Sequence, residues 1–215
     1  MLFLVSLISA YLIGSIPTSY LFGKILKGID IRQFGSGNVG ATNTYRVMGK
    51  LPGIAVLIID VVKGLICVTL LARLFLSLGV SMDPKTYSLM LGLASIVGHD
   101  WTIFLKFKGG KGVATSTGVF MGISPQVFML GLIVWMAVFF WKRYVSLASI
   151  VAAVTVPVLF SILMYPLAYV IFSALICVIT VIKHYPNIQR LARGEEHKIY
   201  PVRNSDNQRG EFSKE

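Results

Sequence analysis

Long apolar runs separated by short polar loops organise this chain. The first run spans Leu2 to about Phe22, the second Gly53 to Leu78 and the third Tyr87 to Leu105. A shorter fourth run, Gly112 to Ser124, ends at Pro125. Gln126 to Trp141, Val145 to Met164 and Leu167 to Ile182 complete the pattern. Several approach or exceed the roughly 18–20 residues that carry a helix across a ~30 Å hydrocarbon core. The pattern predicts an all-α polytopic membrane protein, with seven transmembrane helices if Ser124-Pro125 is a turn and six if it is a kink. The fourth run, 13 residues long, gives only about 20 Å of helix, so its N-terminal end is expected below the interface. The first run lacks a basic leader and a small-residue cleavage site, and reads as an anchor rather than a signal peptide.

Composition agrees. Hydrophobic residues make up 55% of the 215 positions and charged residues 13%, about half the ~25% of an average globular protein. That excludes a soluble enzyme, a disordered chain and a disulfide scaffold. Cys67 and Cys177 lie inside apolar runs and say nothing firm about redox compartment. One integral-membrane domain is expected over residues 1–203, followed by a polar tail from Asn204 to Glu215.

The net charge of +11 fits loops that face anionic headgroups better than it fits nucleic acid. It also chooses between the span counts. With seven spans and an outside N-terminus, 17 of the 20 Lys and Arg residues fall inside, leaving Arg73 and Lys85 outside and Lys63 within a span. Six spans would put 11 outside and 8 inside. The positive-inside rule selects seven, with a cytoplasmic C-terminus.

Every unusual loop then lies on one face. The first inside loop reads Gly35-Ser36-Gly37-Asn38-Val39-Gly40-Ala41-Thr42-Asn43, with Arg46 just beyond. Backbone amides of such a glycine-rich stretch can converge on an anion, and Arg46 offers a fork to phosphate. The spacing does not fit a Walker A loop. The second inside loop, Lys108-Gly109-Gly110-Lys111-Gly112, runs into the fourth span, where lysine charge, free N–H groups and the helix dipole add up. The bland alternatives are a flexible turn for the first loop and snorkelling lysines for the second.

Smaller features stand beside these loops. Asp60 and Lys63 lie one helical turn apart within a span and can pair, either as a structural ion pair that helps hold helices together or as a substrate contact. His99 closes the third span, and Ser146 opens the sixth after Lys142-Arg143-Tyr144. His184, Asn187 and Arg190 recur every third residue, so one face of a short interfacial helix can present all three, with Glu196 and His197 following. No His-Glu-x-x-His or paired-cysteine spacing for zinc occurs, nor an Asp-rich metal motif, so neither metal nor cofactor is expected. The His-x-x-x-x-Asp pair of acyl-CoA-dependent glycerolipid acyltransferases is absent too: Phe104, Gln189 and Val202 stand five residues after the three histidines.

Four strings, GSGNVGATNTYRVMG (35–49), GHDWTIFLKFKGGKGVAT (98–115), KRYVSLASI (142–150) and HYPNIQRLARGEEHK (184–198), resemble the bacterial acyl-phosphate:glycerol-3-phosphate acyltransferases. The resemblance runs in order from Leu2 to about Lys198. It implies acyl transfer from acyl phosphate to the 1-hydroxyl of sn-glycerol 3-phosphate, giving lysophosphatidic acid and phosphate, the first step of bacterial phospholipid synthesis. It implies seven helices in the bacterial inner membrane, an active site at the cytoplasmic face and no cofactor. Acyl phosphate, glycerol 3-phosphate and membrane lipids are the expected partners of a monomer. By the same analogy Ser36 with the glycine loop and Lys108 to Gly112 hold phosphate groups. Arg46, Ser146, His184, Asn187 and His197 line the glycerol-phosphate side. Tyr185-Pro186 replace a charged pair usual in that family, and the proline predicts a helix start at Asn187.

Acyl phosphate carries its own leaving group, so positioning and charge stabilisation suffice and no protein nucleophile is expected. No carboxylate of the motif loops suggests itself as base, which leaves His184 or the substrate phosphate. The rival class is a transporter of phosphorylated small molecules. Its second vestibule finds no room in the short outside turns at Ser124-Pro125 and Tyr165-Pro166.

Overall fold

The computed structural model describes residues 1–199, and these are helical throughout, without strands. The tail expected from Asn204 lies outside the described residues. Ten helices follow in order: α1 (Leu2–Ser15), α2 (Thr18–Lys27), α3 (Ala41–Met48), α4 (Lys50–Ser77), α5 (Pro84–Asp100), α6 (Val113–Ile123), α7 (Pro125–Lys142), α8 (Val145–Ile162), α9 (Leu167–Lys183) and α10 (Tyr185–Arg193).

By length and composition α4, α7, α8 and the stretch Pro84–Leu105 that contains α5 can each cross a membrane. Two bent pairs, α1 with α2 at 41° and α9 with α10 at 57°, bring the count to six, and α6 is a shorter apolar helix. The first apolar run is therefore not one straight helix. Pro17 has no N–H to continue α1, and the chain turns there. Ser124-Pro125 is a true break: Ser124 is extended and its hydroxyl accepts from the Val127 amide at 3.4 Å, capping a new helix with Pro125 in its first turn. The outward faces carry Leu4, Ile8, Ile58, Leu70, Ile133, Val158 and Ile171, all exposed, as lipid contact requires.

Packing follows small residues. A Cβ at Gly14 would strike the Ser95 carbonyl and one at Gly98 the Tyr11 carbonyl, so α1 and α5 cross at backbone distance. Gly64 and Gly118 do the same for α4 and α6. Hydrogen bonds lock the first crossing, Tyr11 Oη to the Trp101 carbonyl at 2.8 Å and Thr102 Oγ1 to the Ser15 carbonyl at 2.6 Å. The second half, α6 to α9, closes around an aromatic core of Phe120, Phe160, Tyr169 and Phe172. Between the α4–α6 pair and α7 to α9 the packing leaves a cavity.

Candidate active site

The cavity holds about 470 Å³ and runs from the polar loops into the apolar interior. Its mouth gathers side chains from five separate stretches: Ser36, Asn38 and Arg46; Lys111; Ser146; His184 and Asn187; and Glu196.

The first loop is held by Asn43, which is 1% exposed. Its side-chain oxygen accepts from the Ser36 amide at 2.8 Å, and its Nδ2 donates to the Phe34 carbonyl at 3.0 Å. The Gly37 amide bonds the Phe34 carbonyl at 3.0 Å. The amides of Ser36 and Gly37 are thus spent within the loop. What faces the cavity is the start of α3, Gly40, Ala41, Thr42 and Asn43, whose first-turn N–H groups have no intrahelical acceptor. Gly35 and Gly37 adopt left-handed φ (60° and 70°) to make the turn and stay off the cavity wall.

The second loop divides in the same way. The amides of Gly109 and Gly110 donate to the carbonyls of Asp100 (3.2 Å) and His99 (3.0 Å). Both glycines line a small void of about 10 Å³ behind the main cavity, and Lys108 points to solvent. The expected amide cradle over Gly109 and Gly110 is therefore already satisfied by the end of α5. Lys111 and Gly112 do reach the main cavity, with Val113 and Ala114 at the start of α6. Gly112 takes φ 69°, a conformation that L side chains rarely adopt.

Lys111, Asn187, Glu196 and Ser146 form a connected polar network. The Lys111 ammonium donates to Asn187 Oδ1. Asn187 Nδ2 donates to Glu196 Oε1 at 2.7 Å, and the Ser146 hydroxyl donates to the same oxygen at 2.9 Å. Arg190 closes the network on Glu196 Oε2 at 2.8 Å. Burial pushes the Glu196 carboxyl up, but the donors Asn187, Arg190 and Ser146 outweigh it and hold the group below its usual value. Burial draws Lys111 down to about 8 and His184 down to about 4. His184 Nδ1 sits 2.8 Å from the Thr180 carbonyl, which can only accept, so Nδ1 carries the proton and Nε2 the lone pair.

Glu196, which follows His184, Asn187 and Arg190 in the last cluster, enters the site with them. It is 8% exposed and sits at the network's centre. The short helix starts at Tyr185, with Pro186 in its first turn, rather than at Asn187. That keeps His184 and Asn187 on the cavity wall together. His197 contributes its carbonyl, which accepts from Arg46 Nη2 at 3.2 Å, while its ring is exposed. Asp60 and His99 reach the cavity wall, but Lys63 stays behind it, bonded to Asp60 Oδ1 at 2.9 Å and to the Ile16 carbonyl at 3.2 Å.

Below the mouth the lining turns apolar: Phe120, Val127, Leu132, Trp135, Val156 and Ile176. Two helix N-termini, an arginine and a lysine thus converge above a hydrophobic chamber, an arrangement suited to an amphiphile with an anionic head.

Known proteins share this fold and much of its sequence. The family described as glycerol-3-phosphate acyltransferase matches residues 4–194, and the chain belongs to it. Glycerol-3-phosphate acyltransferase 2 of Moorella thermoacetica is 44% identical over 198 residues, covering 92% of this chain and 98% of the relative. The glycerol-3-phosphate acyltransferase of Aquifex aeolicus is 43% identical with the same coverage. The crystal structure of PlsY (YgiH), an integral membrane glycerol 3-phosphate acyltransferase, in its glycerol 3-phosphate form superposes with a TM-score of 0.83 at 40% identity, covering 92% of this chain and 96% of that one. The same protein is also known in a lysophosphatidic acid form.

Proposed function

We propose that this protein transfers a fatty acyl group from acyl phosphate to the 1-hydroxyl of glycerol 3-phosphate, releasing lysophosphatidic acid and inorganic phosphate without a covalent enzyme intermediate. The observation that carries the reading is the mouth of the cavity, where the starts of α3 and α6 meet Arg46 and Lys111 above an apolar chamber. Two substrates that each bear a phosphate need two such binding points, and an acyl chain needs the chamber. The glycerol 3-phosphate and lysophosphatidic acid forms of the solved relative name a substrate and a product of this reaction.

In this reading Arg46 and the start of α3 hold one phosphate, with Ser36 at its side. Lys111 and the start of α6 hold the other. His184 Nε2 takes the proton as the glycerol hydroxyl oxygen bonds to the acyl carbon. The bond from that carbon to the bridging phosphate oxygen then breaks, and phosphate departs with the electron pair, its new charge facing Lys111. Glu196, whose oxygens are occupied by Asn187, Ser146 and Arg190, orients the donors and does not act as base. Ser146, engaged the same way, positions rather than attacks. The positive-inside count supports seven spans, an outside N-terminus and a cytoplasmic site in the bacterial inner membrane.

The test is phosphate release by detergent-purified protein. Palmitoyl phosphate should yield phosphate and lysophosphatidic acid only when glycerol 3-phosphate is added, and dialysis against EDTA should not abolish turnover. Equal rates with palmitoyl-CoA as donor, or phosphate release independent of glycerol 3-phosphate, would overturn the reading.

A further inference from the structure

We infer that the apolar chamber is blind-ended and that Phe120 is the stop that limits the length of the acyl chain. The inference rests on the acyl-transfer reading above. The deepest lining residue on each of four helices is Phe120 on α6, Val127 on α7, Val156 on α8 and Ser173 on α9. All four are buried, with Val127 at 0% and Ser173 at 1% exposure. The next aromatic side chains outward, Phe160 and Phe172, are not part of the lining. They stand behind Phe120 with ring centroids 6.1 and 6.0 Å away. Phe160 is itself fully buried, so the Phe120 ring is backed by packed side chain rather than by solvent. Helical rise puts Phe120 about 12 Å beyond Gly112, and Val156 about 15 Å beyond Ser146. On α7 the lining reaches Val127, about 22 Å of helical rise from Lys142, so the chamber closes only near the far side of a ~30 Å hydrocarbon core.

A closed floor is the means of length selection that this setting allows. An acyl chain that arrives from the bilayer exchanges one apolar environment for another, so added methylenes gain little by burial. They are refused only where they collide with close-packed side chains. Overfilling a packed core carries a penalty that corresponds to roughly five- to 150-fold in rate or affinity.

Straight-chain acyl phosphates from dodecanoyl to eicosanoyl provide the test, with kcat/KM measured for each on purified protein in detergent. Wild type should show a steep fall beyond a limiting length. Phe120→Ala should raise the ratio of long-chain to short-chain kcat/KM at least five-fold and move the fall to longer chains. Gly131→Leu should move it to shorter ones. A Cβ at Gly131 would stand 3.4 Å from Val156 Cγ2, so a larger side chain there fills the space just above the floor. If Phe120→Ala does not fold, Gly131→Leu decides alone, because it removes no buried group. Length profiles unmoved by the variants, with wild type active, would overturn the stop and mean that the chain leaves sideways into lipid. A wild type inactive on every acyl phosphate would overturn the acyl-transfer reading itself.

Discussion

His184 and Lys111 face one cavity with opposite requirements, and their environments set a pH window. The imidazole must be neutral to accept a proton, and burial holds it at about 4, so it is neutral above that value. The ammonium must stay charged to meet phosphate, and burial lowers it to about 8, so it is charged below that value. The pH profile of kcat/KM, which reports the free enzyme, should be flat between these limits, falling below about 4 and above about 8. The alkaline limb should move up in Lys111→Arg, whose charge persists at high pH. If the substrate phosphate is the base instead, the acid limb belongs near its second ionisation, around 6, and survives in His184→Ala. Most of these residues were legible in the sequence, because arginine, lysine, histidine and asparagine beside glycine-rich loops announce phosphate chemistry. Glu196 was legible only as part of the last cluster, not as a partner of Ser146. It follows Gly194, which turns the chain at φ 73°, and only this reversal brings the carboxylate under Ser146, fifty residues earlier in sequence.

At the level of elements, the glycines of the second loop serve two purposes that the sequence shows as one. Gly110 packs rather than cradles: a methyl there would strike His99 Nε2 and come within 2.8 Å of the Val39 carbonyl. Gly110→Ala should therefore lose activity together with thermal stability, by about 1–3 kcal/mol of overpacking, as differential scanning fluorimetry in detergent can register. Activity lost at an unchanged melting temperature would restore the amide-cradle reading instead. The Asp60–Lys63 pair belongs to this scale as well. Asp60 Oδ1 also accepts from Thr18 Oγ1 at 3.0 Å, and Lys63 reaches the Ile16 carbonyl, so the pair staples α4 to the break between α1 and α2. The ion pair itself lies within α4, its hydrogen bonds to Thr18 and Ile16 make the inter-helix contact, and Asp60 also lines the cavity wall. Asp60→Asn leaves a buried cation without its partner and should cost about 3–5 kcal/mol. The double variant Asp60→Asn, Lys63→Met removes the charge too and should recover part of that loss in the same melting assay.

For the whole molecule, helix lengths alone leave the span count open, since four helices are long enough, two pairs are bent and α6 has 11 residues. Periodicity finds apolar runs without showing where proline bends them, and this is why the first run reads as one span although it turns at Pro17. A short α6 is tolerable because its first turn opens into the cavity rather than into lipid, so its free N–H groups are not stranded in hydrocarbon. The loop charges then assign sides. Lys142 and Arg143 end α7 beside aromatic rings, with Lys142 Nζ 4.0 Å from the Trp141 ring centroid, as at a membrane–water interface. In a background with Cys67 and Cys177 replaced by alanine, single cysteines at positions 85, 106 and 142 can be challenged in intact cells with a membrane-impermeant maleimide. All three positions are exposed. Seven spans predict labelling of Lys85→Cys alone, with Lys106→Cys and Lys142→Cys reacting only after permeabilisation. Six spans would expose Lys142→Cys together with Lys85→Cys. That result would separate Ser146, at the start of α8, from the side on which Lys106 leads into Lys111, although both line one mouth. Labelling of Lys142→Cys therefore tests the site as well as the topology, because a single cytoplasmic mouth requires α6 and α7 to cross the membrane in opposite directions.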